Sequence, residues 1–241
     1  MKSILITGAS QGIGAETARQ FMAAGWHVGL LARQKDKLEA LAQEGSATVL
    51  QADVTDEEAV ENAFETFQSE VGHLDALFNN AGIFVPQVTI DEMSYDDWKR
   101  GVDVNLNGMF LAARAAFRIM RQQSPQGGRI INNGSISAHV PREKSVNYTA
   151  TKHAITGLTK TLSLDGRDFD IACGQIDIGN ARTDIVAALD ARRVEDGLPP
   201  IDSMDVADAA RAVLHMAELP LSANVQFMTV MATKMPYIGR G

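Results

Sequence analysis

Short apolar runs recur along this chain between longer amphipathic stretches, and this alternation strongly limits how the chain can fold. The runs are rich in Ile, Val and Leu without polar residues at every second position, which favours strands covered on both faces. Seven runs share the pattern: Ser3–Thr7, His27–Ala32, Ala47–Gln51, Ala76–Asn79, Arg129–Asn133, Ile171–Ile176 and Val225–Met231. The alternation predicts an α/β fold, with a doubly wound sheet of about seven mostly parallel strands and helices on both faces.

The stretches between the strands carry helix signals. Gly12–Ala24 and Asp56–Val71 each end just before a glycine, and Tyr95–Gln123 and Val146–Asp168 are the longest. No linker, repeat or long charge run divides the chain, so we expect one domain over residues 1–241. Within it, the charged segment 184–204 is predicted to be a mobile substrate lid with a short helix. Ligands of such sheets bind at the carboxyl ends of the strands.

Composition excludes several classes of function. The formal net charge of −8 argues against a nucleic-acid partner, which requires a basic face. No apolar run reaches the roughly eighteen residues of a membrane span, and we expect neither membrane insertion nor a signal peptide. Cys173 is the only cysteine, and the histidines form no metal-binding pair, so we expect a cytoplasmic protein without a metal.

A glycine-rich turn follows the first predicted strand. It reads Thr7-Gly8-Ala9-Ser10-Gln11-Gly12-Ile13-Gly14 and opens the first predicted helix. Glycines allow a tight turn and a close approach to a pyrophosphate, and the helix N-terminus offers free N–H groups. A tight turn without a ligand remains an alternative from this motif alone. The spacing also differs from the commoner Gly-x-Gly-x-x-Gly fingerprint.

The spacing Thr-Gly-x-x-x-Gly-x-Gly resembles the signature of the short-chain dehydrogenase/reductase family. Other motifs of that family follow in order: Asp53-Val54, Asn79-Asn80-Ala81-Gly82, then Asn105, Ser135, Tyr148 and Lys152. The resemblance runs from residue 3 to about residue 183. It implies a Rossmann fold, hydride transfer between a nicotinamide cofactor and a carbonyl/alcohol pair, and a homodimer or homotetramer built partly on the two longest helices.

The resemblance also assigns residues to the cofactor. The expected cofactor-binding set is Gly8, Ser10, Gln11, Gly12, Ile13, Gly14, Arg33, Asp53, Val54, Asn80, Ala81, Gly82, Tyr148, Lys152, Gly179 and Thr183. The end of the second strand reads Ala32-Arg33, without the acid that holds the ribose of NAD. Arg33 suits a 2′-phosphate, although it could also be an ordinary solvated arginine. We therefore expect NADP(H) rather than NAD(H).

Tyr148 and Lys152 are the predicted centre of the chemistry. Four residues apart on a helix, they lie on one face, and the ammonium is expected to lower the tyrosine pKa so that it can exchange a proton. Alone, the pair could be an ordinary surface pair, but its position thirteen residues beyond Ser135 favours catalysis. Ser135 would hydrogen-bond the substrate oxygen, with Ser137 as a competing candidate.

The resemblance gives Asn105 a water-holding role in proton relay and gives Lys152 a second role on the nicotinamide ribose. The sequence departs from the family at Ile178, where a proline is usual, which predicts a less restrained loop, and at the unusual C-terminus.

Two functions remain open. The first is an oxidoreductase acting between NADP(H) and a carbonyl or secondary alcohol, with a 3-oxoacyl thioester, a sugar or a small ketone as substrate. The alternative is an inactive NADP(H)-binding regulator or scaffold, against which the retained catalytic set argues. The segment from His139 to Arg142, together with the lid, is expected to close the substrate pocket.

Overall fold

The computed structural model describes residues 1–195 and 197–238, apart from the side chains at positions 184, 185, 188, 189 and 192. Seven parallel strands form one sheet in the order β3-β2-β1-β4-β5-β6-β7. The strands are β1 (Ser3–Thr7), β2 (His27–Ala32), β3 (Ala47–Gln51), β4 (Ala76–Asn79), β5 (Gly128–Asn133), β6 (Ile171–Ile178) and β7 (Phe227–Val230). The predicted fold class is confirmed.

Helices cover both faces of the sheet. They are α1 (Gly12–Ala23), α2 (Lys35–Ala42), α3 (Glu57–Val71), α4 (Tyr95–Val102), α5 (Met109–Gln122), α6 (Val146–Asp165), α7 (Asp184–Glu195) and α8 (Val206–Glu218). One core layer packs Phe21 of α1 and Val213 of α8 against the sheet, and the other packs Phe64 of α3 and Ile119 of α5. Burial of these two apolar layers explains why the strands are apolar throughout.

The predicted strand bounds hold for β1 to β4 and differ at the later strands. β5 begins one residue earlier, at Gly128, and β7 is shorter at both ends. β6 continues through Ile178, which is buried and pairs with Val230 of β7. The expectation of a less restrained loop at Ile178 is therefore wrong. Isoleucine keeps the backbone N–H that proline lacks, so the strand can extend past this position.

The long predicted helix Tyr95–Gln123 is interrupted. A π-helical segment, Asp103–Gly108, separates α4 from α5. Gly108 lies so close to the loop after β3 that a Cβ atom there would be 2.8 Å from Cγ2 of Val54. Gly108 and Asn105 both lie within this widened helical turn. Such irregularities are frequent at functional sites. The last predicted helix, Val146–Asp168, ends three residues early, at Asp165, and a short 3-10 turn follows.

The lid segment is tied at both ends. The Arg182 N–H donates to the Met204 carbonyl, and the Met204 N–H donates to Asn180, at 2.8 and 2.9 Å. Position 196 of this segment lies outside the described residues. Across residues 1–195 and 197–238, none of the helices has the length and apolar character to cross a bilayer. The same residues contain no cluster of His, Cys, Asp and Glu suited to a metal.

Candidate functional site

The glycine loop connects β1 to α1 at the carboxyl edge of the sheet. Gly8 has φ of 69°, and a Cβ atom built on Gly14 would lie 2.2 Å from the Gly8 carbonyl oxygen. Only glycine allows this close approach. The loop and the first turn of α1 contain Gly8, Ser10, Gln11, Gly12, Ile13 and Gly14. The Gln11 side chain does not cap α1, so the first N–H groups of the helix stay available to an anion.

A polar network fixes the loop to β4. The Thr7 hydroxyl accepts hydrogen bonds from the N–H groups of Asn80 and Ala81, at 2.8 and 2.9 Å. The Asn80 amide donates to the Thr7 carbonyl at 3.0 Å and accepts from the Asn133 amide at 2.9 Å. These contacts join the ends of β1, β4 and β5. The Asn80-Ala81-Gly82 segment thus lies beside the glycine loop, as the sequence predicts.

Arg33 and Asp53 lie at the ends of β2 and β3. Arg33 is 70% exposed, and its Nη1 is 3.7 Å from Oδ2 of Asp53. The other carboxylate oxygen of Asp53 accepts from the Thr55 N–H and hydroxyl. A cleft of about 270 Å³ opens here, lined by Arg33, Asp53, Thr55, Asp96, Lys99, Arg100, Asp103 and Val104. Val54 is buried beneath it.

Tyr148 and Lys152 lie one turn apart on α6. Lys152 is only 3% exposed, and its Nζ donates to the Asn133 carbonyl at 2.7 Å. That Nζ is 5.5 Å from the centroid of the Tyr148 ring. The ring is partly buried and stacks on Phe84, with centroids 4.7 Å apart. The predicted pair is therefore assembled at the end of β5.

Burial dominates the ionisation of both groups. It lowers the pKa of Lys152 to about 8, against a smaller opposing effect of Asp177. Burial raises the pKa of the Tyr148 phenol, while the Ser135 hydroxyl and the charge of Arg142 lower it in part. The expected lowering of the tyrosine pKa is wrong for this structure, because desolvation of the phenolate outweighs the favourable contacts. Tyr148 is held in its protonated form.

Ser135 lies directly after β5 and is supported from below by Asp177. The Ser135 N–H donates to Oδ1 of Asp177 at 2.9 Å, and the Ser135 hydroxyl accepts from the Ser137 N–H at 3.1 Å. Asp177 is 1% exposed and also accepts from the Gln175 amide, while its Oδ2 is 2.7 Å from Nε2 of His139. Three donors therefore satisfy this buried carboxylate.

Sequence reasoning missed the support that Asp177 gives to Ser135. An acid inside an otherwise apolar strand was the available signal, because buried carboxylates require several hydrogen-bond donors.

Asn105 is fully buried in the π-helical segment. Its Oδ1 accepts from the Ile83 N–H at 2.7 Å, and its Nδ2 donates to the Ile83 carbonyl at 3.0 Å. The side chain therefore fastens the loop after β4, and this loop carries Phe84. The geometry assigns Asn105 an anchoring role, whereas its role in a proton relay stays a prediction.

Gly179 and Thr183 follow β6. The Gly179 N–H donates to the Val230 carbonyl at 2.8 Å. Thr183 lies over the glycine loop, since its Cγ2 is 3.1 Å from where a Cβ atom of Gly12 would be. Of the two predicted cofactor residues in this segment, Thr183 is thus near the start of α1, whereas Gly179 packs against Met231 and Met235.

A narrow cleft lies beside Tyr148. Its enclosed volume is about 10 Å³, and its lining is Phe84, Val85, Pro86, Gln87, Met93, Arg142, Lys144, Ser145, Asn147 and Tyr148. Phe84 is 54% exposed. Its contact with Tyr148 joins the loop after β4 to α6, which the sequence pattern did not indicate.

Comparison with known proteins places these features in a family. The sequence model of the family described as short chain dehydrogenase matches residues 2–194. The chain is 34% identical over 180 residues to a 3beta-hydroxysteroid dehydrogenase of Mediterraneibacter gnavus, covering 73% of this chain and 64% of that enzyme. It is 29% identical over 231 residues to a 3-oxoacyl-[acyl-carrier-protein] reductase of Synechocystis, covering 93% and 92%. The chain thus spans slightly less than two thirds of the first of these relatives and nearly all of the second.

Solved structures give the same result. A 3-ketoacyl-(acyl-carrier-protein) reductase of Brucella melitensis complexed with NADH superposes with a TM-score of 0.87 at 26% identity, covering 96% of this chain and 97% of that one. The closed form of a serine dehydrogenase complexed with NADP+ superposes with a TM-score of 0.89 at 25% identity, covering 99% and 98%.

Proposed function

The chain belongs to the short-chain dehydrogenase family, and we propose that it transfers a hydride between NADP(H) and a carbonyl or secondary alcohol substrate. It is a dehydrogenase or reductase of CH–OH and C=O groups, as its relatives are. The observation that carries the proposal is the convergence of Ser135, Tyr148 and Lys152 at the end of β5, beside the glycine loop. A scaffold without chemistry would not need a buried lysine one turn from a buried phenol.

The residues present fit a dinucleotide. The close approach of Gly14 to Gly8 leaves backbone at the loop surface, and the uncapped N-terminus of α1 offers N–H groups to a pyrophosphate. Gly8, Ser10, Gln11, Gly12, Ile13 and Gly14 would hold this part, with Asn80, Ala81 and Gly82 beside it and Gly179 and Thr183 above. Arg33, Asp53 and Val54 would hold the adenine end. The nicotinamide, when bound, supplies or accepts the hydride.

The side chains then handle the proton and the substrate oxygen. Tyr148 would donate its phenolic proton to the oxygen that gains negative charge, and its raised pKa keeps that proton in place near neutrality. Ser135 would donate a hydrogen bond to the same oxygen. Lys152 would stabilise the phenolate after proton loss, and it would bind the ribose of the cofactor. Asn105 would keep the loop after β4 in position.

The reaction is tested by removing only the phenolic oxygen. Tyr148→Phe is expected to lower kcat by about 1000-fold, the scale of lost acid catalysis, with NADPH affinity within about threefold of the parent. Tyr95→Phe is the matched control, because Tyr95 is 77% exposed at the start of α4. Unchanged turnover in Tyr148→Phe would rule out the mechanism. Tight NADPH binding by a parent enzyme that turns over no carbonyl compound would favour the inactive regulator or scaffold instead.

The preference for NADP(H) rests on Arg33. Its exposed guanidinium at the end of β2 has Asp53 as a distant partner, so it can turn to a 2′-phosphate. We expect a higher kcat/KM with NADPH than with NADH, and Arg33→Glu should narrow or invert the difference. Arg211→Glu, at an exposed position of α8, is the charge-matched control. Equal kcat/KM for both cofactors in the parent would refute the role of Arg33.

The subunit assembly and the cellular location of the protein are two further proposals. Phe110 of α5 and Leu164 of α6 are exposed apolar residues on the two helices expected to form the interface. We propose a homodimer or homotetramer, which light scattering coupled to gel filtration measures directly. We also propose a cytoplasmic enzyme with a small-molecule substrate and no nucleic-acid or membrane partner. Segment 184–204 would close over that substrate.

A further inference from the structure

Among the residues that the structure describes, Arg142 is a cation without an ion-pair partner, and it lies beside the proposed proton donor. It lies in the loop between the 3-10 turn at Ile136–Ala138 and α6, and it lines the cleft next to Tyr148. Its charge is close enough to lower the pKa of that phenol. Its Nε is buried and has no hydrogen-bond acceptor. Among the described residues, no carboxylate forms an ion pair with Arg142, although many other arginines have one.

The position of Arg142 is fixed by its own loop. The Ser145 hydroxyl donates to the Arg142 carbonyl at 2.7 Å and is within 2.9 Å of the Thr149 hydroxyl on α6. The guanidinium is therefore presented from a restrained backbone. A buried donor without a partner costs stability unless a ligand satisfies it. Asn147 also lines this cleft, and its buried Oδ1 lacks a hydrogen-bond partner among the described residues.

The other charges near the cleft do not neutralise Arg142. The Asp177 carboxylate already accepts from Ser135, Gln175 and His139. Lys144 lines the same cleft, and Lys152 lies one turn from Tyr148 on α6. The cleft is therefore positive on balance.

We propose that Arg142 selects substrates that carry a carboxylate attached to the reacting carbonyl or one methylene away from it, so that this enzyme acts on short oxo or hydroxy acids. The proposal rests on the proposed hydride-transfer function and names its substrate class. The planar guanidinium fork matches a planar carboxylate, which two parallel hydrogen bonds can hold.

Matched pairs of ketones test the selection. The parent enzyme is assayed with NADPH on acetoacetate and methyl acetoacetate, and on 2-oxobutyrate and its methyl ester. We expect at least a tenfold higher kcat/KM for one or both acids than for their esters. Arg142→Met should lower kcat/KM for the acid by about 30- to 100-fold, the scale of a lost charge-assisted contact, and should change the ester less than threefold. Arg142→Lys should lie between them.

The control removes an equal charge elsewhere. Arg167 is exposed in the turn before β6, at the opposite edge of the sheet, and Arg167→Met should match the parent. Equal kcat/KM for acid and ester, or an equal loss of both in Arg142→Met, overturns the proposal. Dihydroxyacetone phosphate preferred over every acid overturns the assignment to a carboxylate.

A binding measurement separates this inference from the proposed reaction. Ligand-observed NMR of NADPH-saturated protein compares butyrate with butyramide, neither of which reacts. Tighter binding of butyrate that disappears in Arg142→Met supports the anion site even if no ketone is reduced, and in that case only the reaction fails. Equal binding of butyrate and butyramide contradicts the inference even if neutral ketones are reduced well.

Discussion

The two halves of the site are built differently. The cofactor side, the loop Thr7–Gly14 with Asn80, is held by hydrogen bonds among the Thr7 hydroxyl, the Asn80 amide and backbone groups, and of the side chains that join it only Asn133 has an unpartnered buried atom, Oδ1. The substrate side is formed by Phe84 and the segment from Ser135 to Tyr148. Five buried side-chain atoms lack a hydrogen-bond partner in the described residues, and three of them are on this side, in Ser137, Arg142 and Asn147. A side whose polar groups mostly satisfy each other is shaped for a constant ligand bound through the backbone. On a side with unpartnered groups, specificity depends on which ligand has polar groups that can pair with them.

The largest effect is expected where the cofactor side is most crowded. Gly14→Ala places a Cβ atom where the Gly8 oxygen is now 2.2 Å away and the Asn80 amide 2.7 Å away. The loop must move, so the Kd for NADPH should rise at least about 100-fold, and the free energy of unfolding should fall by about 3 kcal/mol. Calorimetric titration and urea unfolding measure the two changes.

Gly157 of α6 provides the control for Gly14. A Cβ atom at Gly157 meets nothing within 4 Å, so Gly157→Ala should stabilise the helix by about 0.5 to 1 kcal/mol without changing NADPH affinity. An NADPH affinity of Gly14→Ala within threefold of the parent would show that the cofactor side adapts as readily as the substrate side, and the contrast between them would disappear.

A comparable loss of stability is expected when the carboxylate of Asp177, which supports Ser135 on the substrate side, is removed. Asp177→Ala leaves the Ser135 N–H, the Gln175 amide and His139 without their shared acceptor. Unsatisfied buried donors cost about 1 to 3 kcal/mol each, and local rearrangement should limit the total loss of unfolding free energy to about 3 kcal/mol. Chemical unfolding measures this loss. Asp177→Asn keeps one acceptor oxygen and should lose less.

Asp168→Ala is the control for Asp177, since Asp168 is exposed in the turn before β6. Stability of Asp177→Ala equal to that of the control would mean that the carboxylate does not hold Ser135 in place.

The sequence predicted the cofactor side better than the substrate side, and the reason is physical. The local backbone requires particular residue types at Gly14 and Asn80, and such requirements appear in the sequence as a motif with fixed spacing. Asp177 supports Ser135 from 42 positions away, and Phe84 reaches Tyr148 from a separate loop, so no local pattern reports either contact. The prediction of a less restrained loop at Ile178 was wrong for a different reason. It was inferred from the proline that the family usually has there, whereas in this chain Ile178 extends a buried strand.

The pH dependence of the unfolding free energy should reveal the contribution of the buried Lys152. The pKa of Lys152 is about 8 in the folded chain and 10.5 as its ordinary value, so the unfolded chain binds more protons between these values. Stability from this group therefore rises with pH across this window, and below about pH 8 burial of the ammonium destabilises the fold. The shift corresponds to roughly 3 kcal/mol at most.

Lys152→Met should remove this contribution. Urea unfolding at pH 7 and at pH 9.5 should show the parent gaining about 2 kcal/mol relative to Lys152→Met as the pH rises. Both proteins share the other titrating groups, so the difference between them isolates the lysine. Parallel pH profiles would mean that Lys152 is not desolvated, and would contradict its nearly complete burial.

The smallest effect on stability, and the sharpest test of the contrast, concerns Phe84. Its ring covers Tyr148 and leaves an enclosed volume of about 10 Å³, room for a single water molecule. Because the ring is more than half exposed, Phe84→Ala should cost no more than about 1 kcal/mol of stability. It should nevertheless lower KM several-fold for longer oxo acids and change KM for acetoacetate little. Phe227→Ala, on β7, gives the stability reference for an exposed ring. A uniform change in KM for all chain lengths would mean that Phe84 does not set the size of the substrate, and the specificity of this side would then rest on charged groups such as Arg142 alone.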